Sequence, residues 1–206
     1  ILDLLEKIIL IIDMENMQFK DLMDIPTLDK YIADHIQGGF GQADMAVMKE
    51  ECEKLKPGDL YVEIGVDEGR SARVAHEYCP EGVYKIFIDI HDHGPVPNVT
   101  ISRAVFMEQE GMVGLGKKGF YVHGDADEFI KVFSMGTPVP QINLLFIDGH
   151  HGYEDVRKNT LMWEHFVRSN GTILFHDIDY LNGVPKWLDD HYGKDNWENC
   201  HGKIGR

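Results

Sequence analysis

The sequence is poor in cysteine. Only three of its 206 residues are cysteine, and Cys52, Cys79 and Cys200 are far apart in the chain, with no C-x-x-C pair. An odd, scattered set argues against a disulfide framework and against a thiolate zinc site, and it fits a reducing compartment. We therefore expect a cytoplasmic protein.

The chain also lacks a long uncharged apolar run and an excess of basic side chains. Residues 1–12 form its most apolar stretch, but Asp3, Glu6 and Lys7 interrupt it, and it is too short to cross a bilayer. Twenty basic side chains stand against thirty-five acidic ones, a net charge of −15. Because such a charge repels phosphate backbones, we expect neither a membrane nor a nucleic acid as partner.

From residue 58 onward, strand-like apolar segments alternate with helix-like ones. Apolar strands that alternate with helices indicate a parallel sheet covered on both faces, with the carboxyl ends of its strands along one edge. The predicted fold class is therefore α/β, a doubly wound, mostly parallel Rossmann-like sheet. The predicted strands are 60–64, 84–90, 120–123, 142–147 and 172–175, and the predicted helices are 71–78, 101–110, 126–133, 153–167 and 184–191.

Residues 1–57 are predicted to form a helical extension before the Rossmann-like domain of residues 58–206. Apolar residues recur there at helical spacing, and the series Gly38-Gly39-Phe40-Gly41 separates two helical stretches. The residues Ile8, Ile9, Ile11 and Ile12 offer more apolar surface than one helix face needs. This extension is predicted to cap an acceptor site or to form the contact of a homodimer or higher homo-oligomer.

A glycine turn follows the first predicted strand and has the spacing E-x-G-x-x-x-G. Gly65 and Gly69 let the backbone turn and approach a ligand, Ser71 opens the next helix, and Glu63 precedes the first glycine by two residues. The pattern differs from the G-x-G-x-x-G of a pyrophosphate binder, and the acidic pair 67–68 would repel a phosphate. The turn therefore favours a cofactor without phosphate that carries a cationic or zwitterionic end.

Two further carboxylates follow later strands. Asp89 ends the second strand, where an acidic side chain can take both hydroxyls of a ribose. Asp125, after the third strand, can lie beside an adenine ring. Each residue alone is equally consistent with a helix cap or a solvated loop, but with the glycine turn they outline an adenosine pocket.

These segments, together with Phe-Ile-Asp-Gly-His-His-Gly-Tyr at 146–153 and Gly-Thr-Ile-Leu-Phe-His-Asp at 171–177, resemble a class I S-adenosylmethionine-dependent methyltransferase. The resemblance is strongest to small-molecule O-methyltransferases related to macrocin O-methyltransferase and to cephalosporin hydroxylase-like proteins. It implies S-adenosylmethionine as cofactor, with Glu63 and Gly65 near its methionine end, Asp89 at the ribose and Asp125 on the adenine side.

Asp148 and Asp177 end neighbouring predicted strands, so their carboxylates can converge on one cation. Two carboxylates suit a hard divalent ion, and Mg²⁺ is the expected metal. Metal-dependent relatives tend to have two acidic residues after strand five, where this chain has His176 and Asp177. Three possibilities stay open: His176 is a nitrogen ligand that shifts preference toward Mn²⁺, Fe²⁺ or Zn²⁺; it does not ligate; or Asp179 supplies the missing carboxylate.

His151 follows Asp148 at D-x-x-H spacing and can reach a substrate hydroxyl held by that metal. A neutral imidazole is a suitable general base for an alcohol, and relatives with this metal centre share the arrangement, which favours His151 over His150. The predicted reaction is methyl transfer to a hydroxyl of a small polar acceptor of sugar or natural-product type. The alternatives are a non-catalytic cofactor-binding domain and a metal-dependent hydroxylase-like enzyme; the missing close-spaced glycines disfavour a nicotinamide dehydrogenase.

Overall fold

The computed structural model describes residues 38–90, 118–135, 138–180 and 182–206, together with Lys30. Its centre is a seven-stranded sheet in which five strands are parallel and the last pair forms an antiparallel addition. In chain order the strands are β1 (Leu60–Ile64), β2 (Tyr84–Asp89), β3 (Lys118–His123), β4 (Ile142–Ile147), β5 (Val167–Phe175), β6 (Asn199–His201) and β7 (Ile204–Gly205). Their spatial order is β3-β2-β1-β4-β5-β7-β6. The order therefore reverses between β1 and β4, which is where open α/β sheets form a binding crevice.

Helices cover both faces of the sheet. They are α1 (Gln42–Glu53), α2 (Arg70–Tyr78), α3 (Ala126–Phe133), α4 (Tyr153–Trp163) and α5 (Val184–His191), and a 3₁₀ turn over Glu164–Phe166 follows α4. The first two helices pack together on one face, and α4 packs between α3 and α5 on the other. The predicted doubly wound, mostly parallel fold is confirmed.

The alternation of side chains along β1 explains the two layers. Tyr61 belongs to the apolar cluster shared with α1 and α2, whereas Val62 and Ile64 belong to the cluster that contains Trp163 of α4. All five residues of β1 are buried because the strand lies inside the sheet with a helical layer on each side.

Several predicted boundaries agree with the structure, and others differ. Strands β1 and β4 and helices α3 and α5 have their predicted bounds, and β2 and α2 differ from theirs by one residue. Strand β3 begins at Lys118 and β5 at Val167, both before their predicted starts, and the predicted helix 153–167 ends at Trp163. The residues Asn170-Gly171 have the composition of a turn, and we expect one before the predicted strand 172–175, but they lie inside β5, where the pairing with β4 slips between Ile142 and Leu144. A Cβ on Gly171 would lie 3.0 Å from the carbonyl oxygen of Asn143, so this glycine permits a close approach between two strands.

Several sequence predictions concern residues outside the described ranges. They are the helical extension before residue 38 with its apolar isoleucines, and the helix 101–110. The division at residue 57 stays a prediction, although helix α1 packs into the same core as β1. Within the described residues, no helix is long and apolar enough to cross a membrane.

Candidate functional site

The residues that follow the three neighbouring strands β1, β4 and β5 are held in line by hydrogen bonds that continue the sheet. The amide of Gly65 donates to the Ile88 carbonyl at 2.9 Å, and that of Asp148 donates to the Ile64 carbonyl at 2.8 Å. The amide of His176 donates to Ile147 at 3.0 Å in the same way. The carboxyl edge of the sheet therefore extends one residue into each loop, and this fixes where the polar side chains begin.

A cavity of about 710 Å³ lies along this edge, a volume that suits a cofactor or drug-sized ligand. Glu63 and Gly69 are not among the lining residues. Eight of the predicted site residues line the cavity: Gly65, Ser71, Asp89, Asp125, Asp148, His151, His176 and Asp177.

Asp89 organises the glycine turn as well as facing the cavity. One oxygen of its carboxylate, Oδ2, accepts hydrogen bonds from the amides of Val66 and Asp67, each at 2.7 Å. The amide of Asp67 is brought into position by a left-handed backbone with φ of 48°, which Asp tolerates better than most residues. The acidic residue expected at the ribose therefore also fixes the shape of the loop that a cofactor would contact.

Gly65 is the point at which β1 and β4 approach each other most closely at this edge. Its φ is 86°, and a Cβ placed on it would lie 2.6 Å from the Gly149 amide nitrogen and closer still to the Asp148 carbonyl. Only glycine meets both conditions, since other residues are strained at this φ and have no room. The cofactor loop and the segment after β4 are thereby brought into contact.

Glu63 lies beneath the cavity. Its carboxyl is fully buried and accepts hydrogen bonds from the Tyr61 hydroxyl at 2.7 Å and the Ser71 hydroxyl at 2.5 Å. Burial, together with the charges of Asp148 and Asp89, raises the pKa of Glu63 to about 8, although both hydrogen bonds oppose the shift. Glu63 therefore titrates well above the ordinary range of a carboxyl, and it links β1 to Ser71 at the start of α2.

Another part of the cavity wall is formed by Asp148, His176 and Asp177. Nδ1 of His176 lies 2.9 Å from an oxygen of Asp148 and 3.2 Å from an oxygen of Asp177. One potential ligand atom from each residue lies within 4.8 Å of the others, and Asp177 adopts a left-handed φ of 55° to reach this place. Two carboxylate oxygens and one imidazole nitrogen form a donor set that fits a divalent cation.

The charges in this cluster depend on one another. Burial alone would lower the pKa of His176, but the carboxylates of Asp148, Asp177 and Asp44 raise it to about 11. Burial raises the pKa of Asp148 despite its contact with His176. For Asp177, the effect of burial is outweighed by His176, His151 and Lys203, which lower the pKa to about 2.

His151 lies beside this cluster. Its Nδ1 contacts Oδ2 of Asp177, and its side chain is about half exposed to the cavity. A carboxylate on Nδ1 holds the imidazole with Nε2 directed away from the pair, which is the orientation that a general base needs. The structure therefore brings together His151, Asp148, His176 and Asp177, as the strand ends predicted.

Sequence reasoning gave less information about two other parts of the site. Asp125 lines the cavity, but its carboxylate also accepts the Asp127 amide at 2.8 Å and so caps α3.

Phe40 and Asp44, which lie just before α1 and in its first turn, contact the site but were absent from the predicted residues. Phe40 packs on the His176 ring with centroids 5.3 Å apart. The spacing of Gly41 and Asp44 predicts a helix cap, yet nothing in the sequence indicates that this cap lies beside His176.

Comparisons with known proteins bear on the family and the fold of the chain. A family model described as a methyltransferase domain matches residues 62–178, more than half of the chain. Among curated proteins, none matches the sequence.

The fold is similar to that of solved methyltransferases. A TDP-rhamnose 3′-O-methyltransferase of calicheamicin biosynthesis aligns over 75% of this chain and 70% of its own, with a TM-score of 0.56 and 16% identity. A precorrin-6y C5,15-methyltransferase from Geobacter metallireducens aligns over 77% and 78%, with a TM-score of 0.55 and 16% identity. At this level of identity the likeness concerns the fold.

Replacing Gly65 by alanine should destabilise the protein strongly. The substitution combines strain at positive φ with a clash against the backbone after β4, and we expect a loss of about 2–5 kcal/mol in the free energy of unfolding. Gly69→Ala is the matched control, because Gly69 has a similar φ of 89° but open space around its Cβ. Urea denaturation of both variants measures the difference; equal losses would show that the contact with Asp148 is unimportant.

Glu63→Gln should change how stability depends on pH. The raised pKa of Glu63 means that the folded state holds a proton which the unfolded state releases above its ordinary value of 4.5. The contribution of Glu63 is thus fully present below about pH 4.5 and is lost as pH rises through about 8, a change on the order of a few kcal/mol. In thermal unfolding, the Tm of the variant should rise relative to that of the wild type between pH 5 and pH 8. A constant difference across that range would contradict the assignment.

Proposed function

The chain belongs to the methyltransferase-domain family, and from that premise we propose that it transfers the methyl group of S-adenosylmethionine to a hydroxyl oxygen of a small polar acceptor of sugar or natural-product type. S-adenosylmethionine-dependent methyl transfer is the general activity; the hydroxyl acceptor and its activation are the proposal. The observation that carries it is the pairing of His151 with Asp177 beside the glycine turn, in one cavity.

The part of the cavity lined by Gly65, Asp89 and Asp125 is well suited to an adenosine with a charged amino-acid end. When bound, S-adenosylmethionine supplies an electrophilic methyl group on a sulfonium. Asp89, held by the amides of the glycine turn, would bind the ribose, and Asp125 lies across the cavity where the adenine would be placed. Gly65 lets the backbone approach the ligand, and the exposed carboxylate of Asp67 disfavours a pyrophosphate at the same position.

The part of the cavity lined by Asp148, His176 and Asp177 would hold the divalent cation. Asp148, Asp177 and Nδ1 of His176 are the residues that would bind it, and such an ion supplies Lewis-acid polarisation of an acceptor oxygen. Since metal ligands must be deprotonated, His176 would have to give up its Nδ1 proton, and affinity should rise with pH. The mixed nitrogen and oxygen donors make Mn²⁺ as plausible a test ion as the Mg²⁺ expected from two carboxylates.

His151 is the proposed general base. With Nδ1 on Asp177, its Nε2 is the atom that would accept the proton of the acceptor hydroxyl, and the carboxylate would stabilise the resulting imidazolium. Alignment of acceptor oxygen and methyl carbon within one cavity would supply much of the acceleration. Among the described residues, Asp148, His176 and Asp177 offer one imidazole and two carboxylates, whereas a non-haem iron hydroxylase binds its metal through two histidines and one carboxylate. His151 is a second imidazole at this edge, and the proposal uses it as a base paired with Asp177 and not as a ligand. The match to the methyltransferase domain is what favours methyl transfer over the hydroxylase-like alternative.

The first test is cofactor binding followed by transfer. We expect S-adenosylhomocysteine to bind in isothermal titration, and Asp89→Asn to weaken binding about tenfold or more, because a charge-assisted contact and the order of the turn are both lost. Incubation with methyl-deuterated S-adenosylmethionine and a panel of polyhydroxylated acceptors should then give a labelled O-methyl product in mass spectrometry. Binding without any product across the panel would favour a non-catalytic cofactor-binding domain, and absence of binding would refute the proposal.

His151→Gln should separate chemistry from binding. Loss of a general base typically costs 10²–10⁴-fold, so we expect such a fall in the transfer rate with unchanged affinity for S-adenosylhomocysteine. The neighbouring His150, which also lines the cavity, provides the control variant His150→Gln. Equal rates for the two variants would exclude His151 as the base.

A further inference from the structure

Asp44 is a buried carboxylate at a junction of three segments. Only 3% of the residue is exposed. Its Oδ2 accepts the Gly41 amide at 2.9 Å, and its Oδ1 accepts the Lys203 amide, in the turn between β6 and β7, at 2.7 Å. The same Oδ2 faces Nε2 of His176 at 3.7 Å. A helix cap alone does not require a carboxylate in this position, because a buried charge is costly unless nearby groups compensate it.

The His176 ring is fixed in a way that gives its two nitrogens different surroundings. Phe40 packs on the ring, and Phe146 approaches it edge-on with centroids 6.2 Å apart. Nδ1 points at Asp148 and Asp177, whereas Nε2 is buried and has no hydrogen-bond partner among the described residues. The aromatic packing holds the ring plane, so the polar groups at its two ends decide which nitrogen meets the cavity.

We propose that Asp44 is a positioning residue for His176, whose carboxylate faces Nε2 and holds the ring so that Nδ1 is presented to Asp148 and Asp177. The inference rests on the proposed function for the role of that Nδ1 as a metal ligand. Histidine ligands commonly donate their second ring N–H to a carboxylate, which fixes the tautomer and orients the ring. The Nε2–H of His176 would make this contact with Asp44 by a small approach from 3.7 Å.

The position of Asp44 adds a structural consequence. Its hydrogen bond from Gly41 ties it to the segment that begins α1, next to Gly38–Phe40, which line the cavity. Its hydrogen bond from Lys203 ties it to the turn between β6 and β7, and Nζ of the same lysine lies 3.6 Å from Asp177. Asp44 therefore connects the beginning of α1 and the end of the sheet to His176.

The first measurement uses the unaltered protein. In ¹⁵N-edited NMR, His176 should give a slowly exchanging ring N–H resonance on Nε2, identified by its absence from the spectrum of His176→Asn. In Asp44→Asn the resonance should shift and exchange faster, because the charged acceptor is gone. Glu51→Gln is the matched control: Glu51 is a buried carboxylate of the same helix that pairs with Lys54 and Arg206 but not with His176. An Nε2 without a proton in the wild type, or an unchanged resonance in Asp44→Asn, overturns the inference.

The second measurement is Mn²⁺ affinity, followed by the loss of the free-ion EPR signal, with S-adenosylhomocysteine affinity as a check on the cavity. Asp44→Asn should weaken Mn²⁺ binding 10–100-fold, and Glu51→Gln should leave it unchanged. Equal Mn²⁺ affinity in wild type and Asp44→Asn refutes the positioning role while the metal site stands. A wild type that binds no Mn²⁺ but shows the Asp44-dependent resonance refutes the metal part of the proposed function while the positioning of His176 stands.

Discussion

The close approach of Gly65 to the peptide between Asp148 and Gly149 is the constraint on which the rest of the site depends. At this point the strand order reverses, and the loops after β1 and β4 would ordinarily diverge. Because Gly65 has no side chain and a left-handed backbone, the two loops remain in contact. The loop proposed to hold the cofactor and the loop proposed to act on the acceptor therefore line one cavity, as direct methyl transfer would require.

Side chains around this contact also have two roles each. Asp89 shapes the glycine turn through two amides and also faces the cavity, and Ser71 both opens α2 and bonds the buried Glu63. Polar groups so placed serve the fold and the ligand together, so substitutions at them should rarely affect binding alone.

Much of the fold and of this edge followed from the sequence, and the reasons are local. The apolar runs of β1 and β4 indicated buried parallel strands, and parallel strands place Asp89, Asp148 and Asp177 at one edge whatever the loops do. The sequence did not predict that Glu63 is buried away from the cavity. All residues of β1 are buried, and in such a strand the alternation of side chains does not tell which of them reach the cavity. The turn expected at Gly171 was wrong for a related reason: the same residue type serves a turn and a close contact between strands.

Asp44 lay beyond sequence reasoning because its role depends on contacts far apart in the chain. It lies 132 positions before His176 and 159 before Lys203, and only the docking of α1 on the sheet brings the three together.

The charge balance at this edge suits a histidine at position 176. Asp44, Asp148 and Asp177 surround one imidazole, and burial, together with the charges of Asp148 and Asp89, raises the pKa of Glu63. A further carboxylate at position 176 would add a fourth negative charge to a mostly buried cluster, at a cost that only a bound cation could offset. With His176 the cluster holds its own counter-charge, because the imidazole lies between Asp148, Asp177 and Asp44. The fold can therefore form this acidic edge without a bound cation, and if a divalent ion binds there as proposed, it has to displace the proton on Nδ1 of His176.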